Sequence, residues 1–196
     1  MVHSDNFLTK PVPLSEDVIC DRIGTSLTDG DIRRYLGDGI ESKILKYSEL
    51  AGYASIDELL PKERDFRIIL VEDSHNKGHW CAILKYGKTI EWYNSYGVRP
   101  DGEKDFLGAV RNKMLGQYQD HLTRLMKSAK GFKLIYNKAR FQKLKQGVNT
   151  CGRWIILRII CMKDMMMGLP EFIKMVEDTQ KATGLPRDAL VAIWIG

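Results

Sequence analysis

With 196 residues, 44% of them hydrophobic, the chain can bury one sizeable core but is short for two full domains, so a single domain over 1–196 is expected. No run of 18 apolar residues occurs, and the opening MVHSDNFLTKPVP lacks the basic-then-apolar layout of a secretory signal, which argues against membrane insertion and secretion. The net charge of +5 conceals an asymmetry: residues 121–163 hold eleven of the 30 basic residues and none of the 25 acidic ones, leaving −6 for the rest.

In chain order, residues 1–21 read as a loose N-terminal arm. The stretch SLTDGDIRRYLG follows, with Thr28 as cap and apolar Ile32, Tyr35 and Leu36 at helical spacing. A short helix is expected at 55–60, stopped by Pro61. FRIILVE (66–72) is a β-rich run, and HWCAILKYGKTIEWY (79–93) reads as two strands turning at Gly87-Lys88, which together form the heart of a sheet. Helical spacing with few breakers then covers 103–127, and FKLIYN (132–137) supplies a further strand. The fold class is α+β.

CGRWIILRIICMKDMMMG, from residue 151, is apolar nearly all round and too long for a strand, the pattern of a helix buried inside a domain. Cys151 falls in its first turn, with Thr150 or Asn149 as cap. The positive end of a helix lowers a thiol pKa and raises the thiolate fraction. The four cysteines (Cys20, Cys81, Cys151 and Cys161) show no CxxC pairing, so they read as free thiols, with Cys81 and Cys161 buried and inert.

A nucleophilic thiol needs a base. His3 lies in the arm, and His121 reads as part of the solvated face of a polar helix. His75, His79 and Cys81 together would suggest zinc, but this loop supplies neither a fourth ligand nor a closed geometry, and no metal is expected. His79 begins a strand as GHW, and Asn94 in WYNSYG ends the neighbouring antiparallel strand, which sets the two facing. An Asn side chain that accepts from one ring N–H directs the other nitrogen at the thiol. Gln146, five residues before Cys151, is a candidate oxyanion donor.

In this order Gly78-His79-Trp80, Asn94-Ser95-Tyr96-Gly97, Gln146 and Cys151-Gly152 resemble the active-site series of the adenain-like cysteine proteases. That group joins the adenovirus maturation protease, proteases of virophages and large DNA viruses, and the cellular proteases that process SUMO and other ubiquitin-like proteins. The match spans roughly residues 66–162. It implies a papain-like/adenain-like fold, in which helices flank a central mixed sheet and the nucleophile opens a buried helix. It also implies His79 as base, Asn94 as orienting group, Gln146 as oxyanion donor and Cys151 as nucleophile. Asn94 departs from the Asp or Glu usual there, and an amide cannot offset an imidazolium by full charge; Glu91, read on the same strand face, is the alternative. Trp80 resembles the aromatic that covers the narrow glycine-binding channel of the SUMO-directed relatives, with core packing as its ordinary alternative, and Gly152 is the other substrate-binding residue implied.

The function so implied is a cysteine endopeptidase that forms a thioester and cuts capsid or core precursors after small, Gly-rich residues, in the virion or at a host-cell assembly site. The other readings are a protease for ubiquitin-like modifiers, a Cys-His acyltransferase, and a non-enzymatic nucleic-acid-binding virion protein. No cofactor is required. The basic block reads either as a solvated face or as a positive surface near Cys151 that binds duplex DNA without sequence preference through Lys138, Arg140, Lys143 and Lys145; by resemblance to the adenovirus enzyme, DNA or an activating peptide would act as a stimulator.

Overall fold

The computed structural model describes residues 14–37 and 39–196. Its centre is a five-stranded mixed sheet in the order β1 (Ile44–Lys46), β2 (Phe66–Ser74), β3 (Lys77–Tyr86), β4 (Thr89–Tyr93) and β5 (Lys133–Tyr136). The inner pairs β2–β3 and β3–β4 are antiparallel, whereas β1 and β5 join the two sides in parallel. The β3–β4 hairpin turns at Gly87-Lys88 as expected, with Gly87 at φ 52.

Alternation along the strands sends one residue set to each face of the sheet. Phe66, Ile68, Leu70, Trp80, Ala82, Leu84 and Tyr93 join the core around helix α6 (Cys151–Lys163), to which α7 (Leu169–Thr183) and α8 (Arg187–Trp194) contribute Phe172, Val176 and Val191. The opposite set, including Ile69, Val71, Cys81, Ile83, Ile90 and Trp92, packs with Tyr47 and Leu50 of a 3-10 turn, with α3 (Ile56–Leu59) and with α5 (His121–Ser128).

α6 is the buried helix that its composition demands: all of its residues but Ile160 and Lys163 are buried. Its one full charge at zero exposure, Arg158, donates from Nε to Glu91 Oε1 (2.9 Å) and from Nη2 to Glu91 Oε2 (2.7 Å). Such a two-pronged pair satisfies both groups, and removing one partner of a buried pair costs about 3–5 kcal/mol.

Three expectations are corrected. The arm ends before 16, because Glu16–Gly24 form α1, capped by Ser15 and tied to α8 through Arg22 Nη1, which donates to Ala192 O (3.0 Å); residues 1–13, including His3, lie outside the described residues. The helix expected over 103–127 is divided into a 3-10 turn (Gly102–Phe106), α4 (Ala109–Met114) and α5. Gly108 (φ 73) and Gly116 (φ 69) adopt the left-handed conformation between the pieces, which glycine enters without strain and which ends a helix. His121 is buried rather than solvated, its ring 5.8 Å from that of Tyr47. By contrast, α2 (Asp29–Leu36) starts at Thr28 in a reciprocal capping box with Asp31.

Candidate active site

His79, Trp80, Tyr96, Glu103, Gln142 and Cys151 line one cleft of about 1080 Å³ at the end of the sheet. His79 reaches it because β2 and β3 close tightly at a bulge between Glu72 and Ser74. A Cβ on Gly78 would stand 2.0 Å from Val71 O, so only glycine permits this approach in front of the histidine. Cys151 arrives from the other side at the first residue of α6.

Cys151 and His79 both line this cleft, and the charge on each shifts the pKa of the other. Burial raises the thiol pKa, but the charge of His79 and the Trp80 backbone N–H outweigh it, and Cys151 lies below an ordinary thiol. For His79, burial works against the charged ring, while the Glu103 carboxylate and the negative charge of Cys151 hold it charged, up to about 9. Both shifts act toward a thiolate–imidazolium pair.

The hydrogen-bond directions agree with that state. Ser95 donates its one hydroxyl proton to Gln142 Oε1 (2.9 Å) and therefore accepts from His79 Nε2, 3.3 Å away. His79 Nδ1 faces Glu103 Oε1 at 3.9 Å, an arrangement that attracts only when Nδ1 also carries a proton. Tyr96 stacks on the ring with centroids 4.2 Å apart and 17° between planes, a geometry that favours a cation over an aromatic face.

Glu103 was not singled out in the sequence. Nine residues past Asn94, it sits in the 3-10 turn after Asp101, which is left-handed (φ 62) and fixed by accepting from Tyr47 OH and from Thr123 N (2.8 Å). Asn94 supports this carboxylate: its Oδ1 accepts from Tyr96 N (2.8 Å), which turns Nδ2 toward Glu103 Oε2 as a donor. The charge missing from Asn94 is thus supplied by the residue that Asn94 holds. Glu91 takes no part. It lies three positions before Asn94, hence on the opposite face of β4, and is consumed by Arg158.

Gln146 is also displaced from its expected place. It is exposed and outside the cleft lining, in the turn before α6. The glutamine in the cleft is Gln142, which is 1% exposed. Gln142 Nε2 donates to Val148 O (2.8 Å), while its other contact, to Tyr96 OH, is long at 3.4 Å, so one N–H has no strong partner. Neither expected cap closes the helix: Thr150 Oγ1 donates to Asp188 Oδ1 (2.6 Å) and Asn149 Nδ2 to Gly24 O (2.6 Å). The first-turn amides of α6 therefore stay free of side-chain acceptors.

Trp80 belongs to the core around α6 and packs beside Gly152. Trp80 Nε1 donates to Leu27 O (2.9 Å), and a Cβ on Gly152 would press on Leu27 Cβ at 3.0 Å and Trp80 Cδ1 at 3.4 Å. Of the other thiols, Cys81 and Cys161 are buried and burial pushes both up, Cys81 well above an ordinary thiol and Cys161 to about 12, while Cys20 is exposed. The basic block does not form one face. Arg153 and Arg158 are buried, whereas Lys138, Arg140, Lys143 and Lys145 are exposed.

Two outcomes follow. If the pair performs catalysis, kcat/KM falls as pH rises through about 9, where the His79 proton is lost. Glu103→Gln moves that limb to lower pH, because it removes the nearest charge that raises His79; a pH–rate profile of both proteins reads this. Gln142→Ala lowers kcat by about 10²- to 10³-fold while Gln146→Ala leaves it within about twofold, read by steady-state kinetics of the two variants.

No family model and no solved structure matches the chain. A curated relative does: the uncharacterized protein V9 of Sputnik virophage is 31% identical over 169 residues, which cover 86% of this chain and 93% of that protein. The aligned length takes in most of both chains at that identity, and the protein therefore belongs to the family of the Sputnik virophage protein V9.

Proposed function

We propose that the protein is a cysteine endopeptidase of the adenain-like type, and that it matures viral structural precursors. The observation that carries this reading is the convergence of Cys151, at the opening of α6, with His79, Glu103 and Gln142 in one open cleft, with His79 backed by the Glu103 carboxylate. Cys151 Sγ attacks a peptide carbonyl carbon. The developing oxyanion is held by the amides that open α6 and by Gln142 Nε2, and His79 gives its proton to the leaving amine. Water, deprotonated by His79, then hydrolyses the thioester and restores the pair.

Contact of Trp80 and Leu27 with Gly152 beside the nucleophile suits substrates with small residues before the cut, as in the relatives that the motif resembles. A virophage relative favours structural precursors over ubiquitin-like modifiers as substrates, and a virion or assembly site as the place of action. No helix among the described residues is long and apolar enough to cross a membrane. The exposed Lys138, Arg140, Lys143 and Lys145 are the proposed contact for duplex DNA, which would hold enzyme and packaged substrate together.

The test is incubation of the protein with virion structural precursors and with ubiquitin-like precursors, with and without duplex DNA, and mass spectrometry of the new N-termini. Cleavage of structural precursors after small residues, absent with Cys151→Ala, is expected. Intact precursors of both classes at high enzyme concentration would remove the reading.

A further inference from the structure

We propose that His79, Cys81 and Glu103 form a site for a divalent metal ion of the zinc class, and that metal binding there switches the active site off. The inference about binding is independent of the peptidase reading; its consequence for activity rests on it.

His79 and Cys81 are alternate residues of β3 and so share one face of the sheet. One ligand atom from each of His79, Cys81 and Glu103 lies within 4.8 Å of the others, and all three residues are buried. His79 Nδ1 is 3.9 Å from Glu103 Oε1, and Cys81 Sγ is 3.5 Å from Glu103 Oε2. In a tetrahedral zinc site with bonds of about 2.0–2.3 Å, neighbouring ligand atoms stand about 3.3–3.6 Å apart, so Cys81 and Glu103 already have that separation, His79 and Glu103 close by about half an ångström, and His79 and Cys81, within 4.8 Å, close by at most about 1.3 Å. The imidazole, thiolate and carboxylate donors are those that zinc takes.

The groups behind these ligands are in place as well. His79 Nε2 has Ser95 Oγ as its acceptor at 3.3 Å, which leaves Nδ1 for an ion, and Asn94 Nδ2 donates to Glu103 Oε2. Such outer partners fix ring tautomer and carboxylate orientation in metal sites. His79 and Glu103 both line the open cleft, which provides entry and a fourth position for water. Binding replaces the Cys81 S–H bond and the His79 Nδ1–H bond by bonds to the metal and releases both protons to solvent. It also takes the imidazole and its carboxylate away from Cys151, and this silences the nucleophile.

A metal that bound simply to the reactive thiol and its histidine would need Cys151 and not Cys81, and this difference is the test. The probe is Co²⁺ alone, titrated into the full chain carrying Cys151→Ala and into the same chain carrying Cys81→Ala as well, with circular dichroism to confirm folding. We expect the first protein to bind one Co²⁺ with thiolate-to-cobalt charge-transfer absorption and the second to show none; Cys81→Ser in place of Ala gives the same loss should the smaller side chain disturb the core. In the chain with Cys151 present, Cys81→Ser raises the Zn²⁺ concentration for half-inhibition of peptide cleavage by at least about tenfold. Charge-transfer absorption that is absent from Cys151→Ala, or that survives loss of both cysteines, overturns the site whether or not the protein cleaves peptides.

Discussion

Cys151→Ala is expected to lower kcat/KM for peptide cleavage by about 10⁴- to 10⁶-fold while the protein stays folded. The magnitude is that of losing the nucleophile of a unit whose members act together, so that His79→Ala, alone or added to it, costs little more. The fold survives for a local reason. Only a sulfur atom is lost from the first turn of α6, where the anchors are Trp154, Ile155 and the Arg158–Glu91 pair deeper in the core. The imidazolium keeps its Glu103 neighbour, so no charge is left buried without a partner. A thermal melt within a few degrees of the parent, together with loss of turnover, checks both halves of the expectation.

Glu103→Ala carries the next largest effect, a fall in kcat of about 10²- to 10⁴-fold, in the range found when the charged member that orients a catalytic histidine is neutralised. Asn94→Ala falls less, since it removes the support of the carboxylate and leaves its charge. Glu91→Ala behaves differently: it strands Arg158 and shows as a stability loss of about 3–5 kcal/mol. Stability also reports on Glu103. The folded protein holds the His79 proton up to about 9 against an ordinary 6.5, so its contribution is complete below 6.5 and is lost as pH rises through about 9. Denaturant unfolding across that window is therefore expected to show stability declining with pH in the parent and a flatter curve in Glu103→Ala.

The sheet, the β3–β4 hairpin and α6 were legible because each rests on a local signal: period-two runs with turn residues between them, and a continuous apolar stretch too long for a strand. His79, Trp80 and Cys151 were legible because each stands at the start of such an element. What escaped was set by tertiary contact. Glu103 looked no different from other acids of a polar segment; its role comes from the left-handed Asp101 turn and from Tyr47, 54 residues away along the chain. Gln146 was nearer to Cys151 in sequence than Gln142, but the turn before α6 sends the nearer one to solvent. The face assigned to Glu91 failed on strand parity. α1 has no buried residue and gains its order from α8, a contact that only the fold creates.

The central claim is that Cys151 rests as a thiolate beside the His79 imidazolium, and its most direct measurement is the rate of iodoacetamide labelling at each cysteine as a function of pH, read by mass spectrometry of peptides. The exposed Cys20 serves as the reference within the same molecule, and Cys81 and Cys161, buried and with raised pKa values, are expected to stay unlabelled in the folded protein. The account predicts that Cys151 is alkylated ahead of Cys20 at pH 6–7 although it is buried, and that His79→Ala removes this advantage. Labelling of Cys151 that lags behind Cys20 throughout and rises only near pH 9, unchanged by His79→Ala, would contradict it.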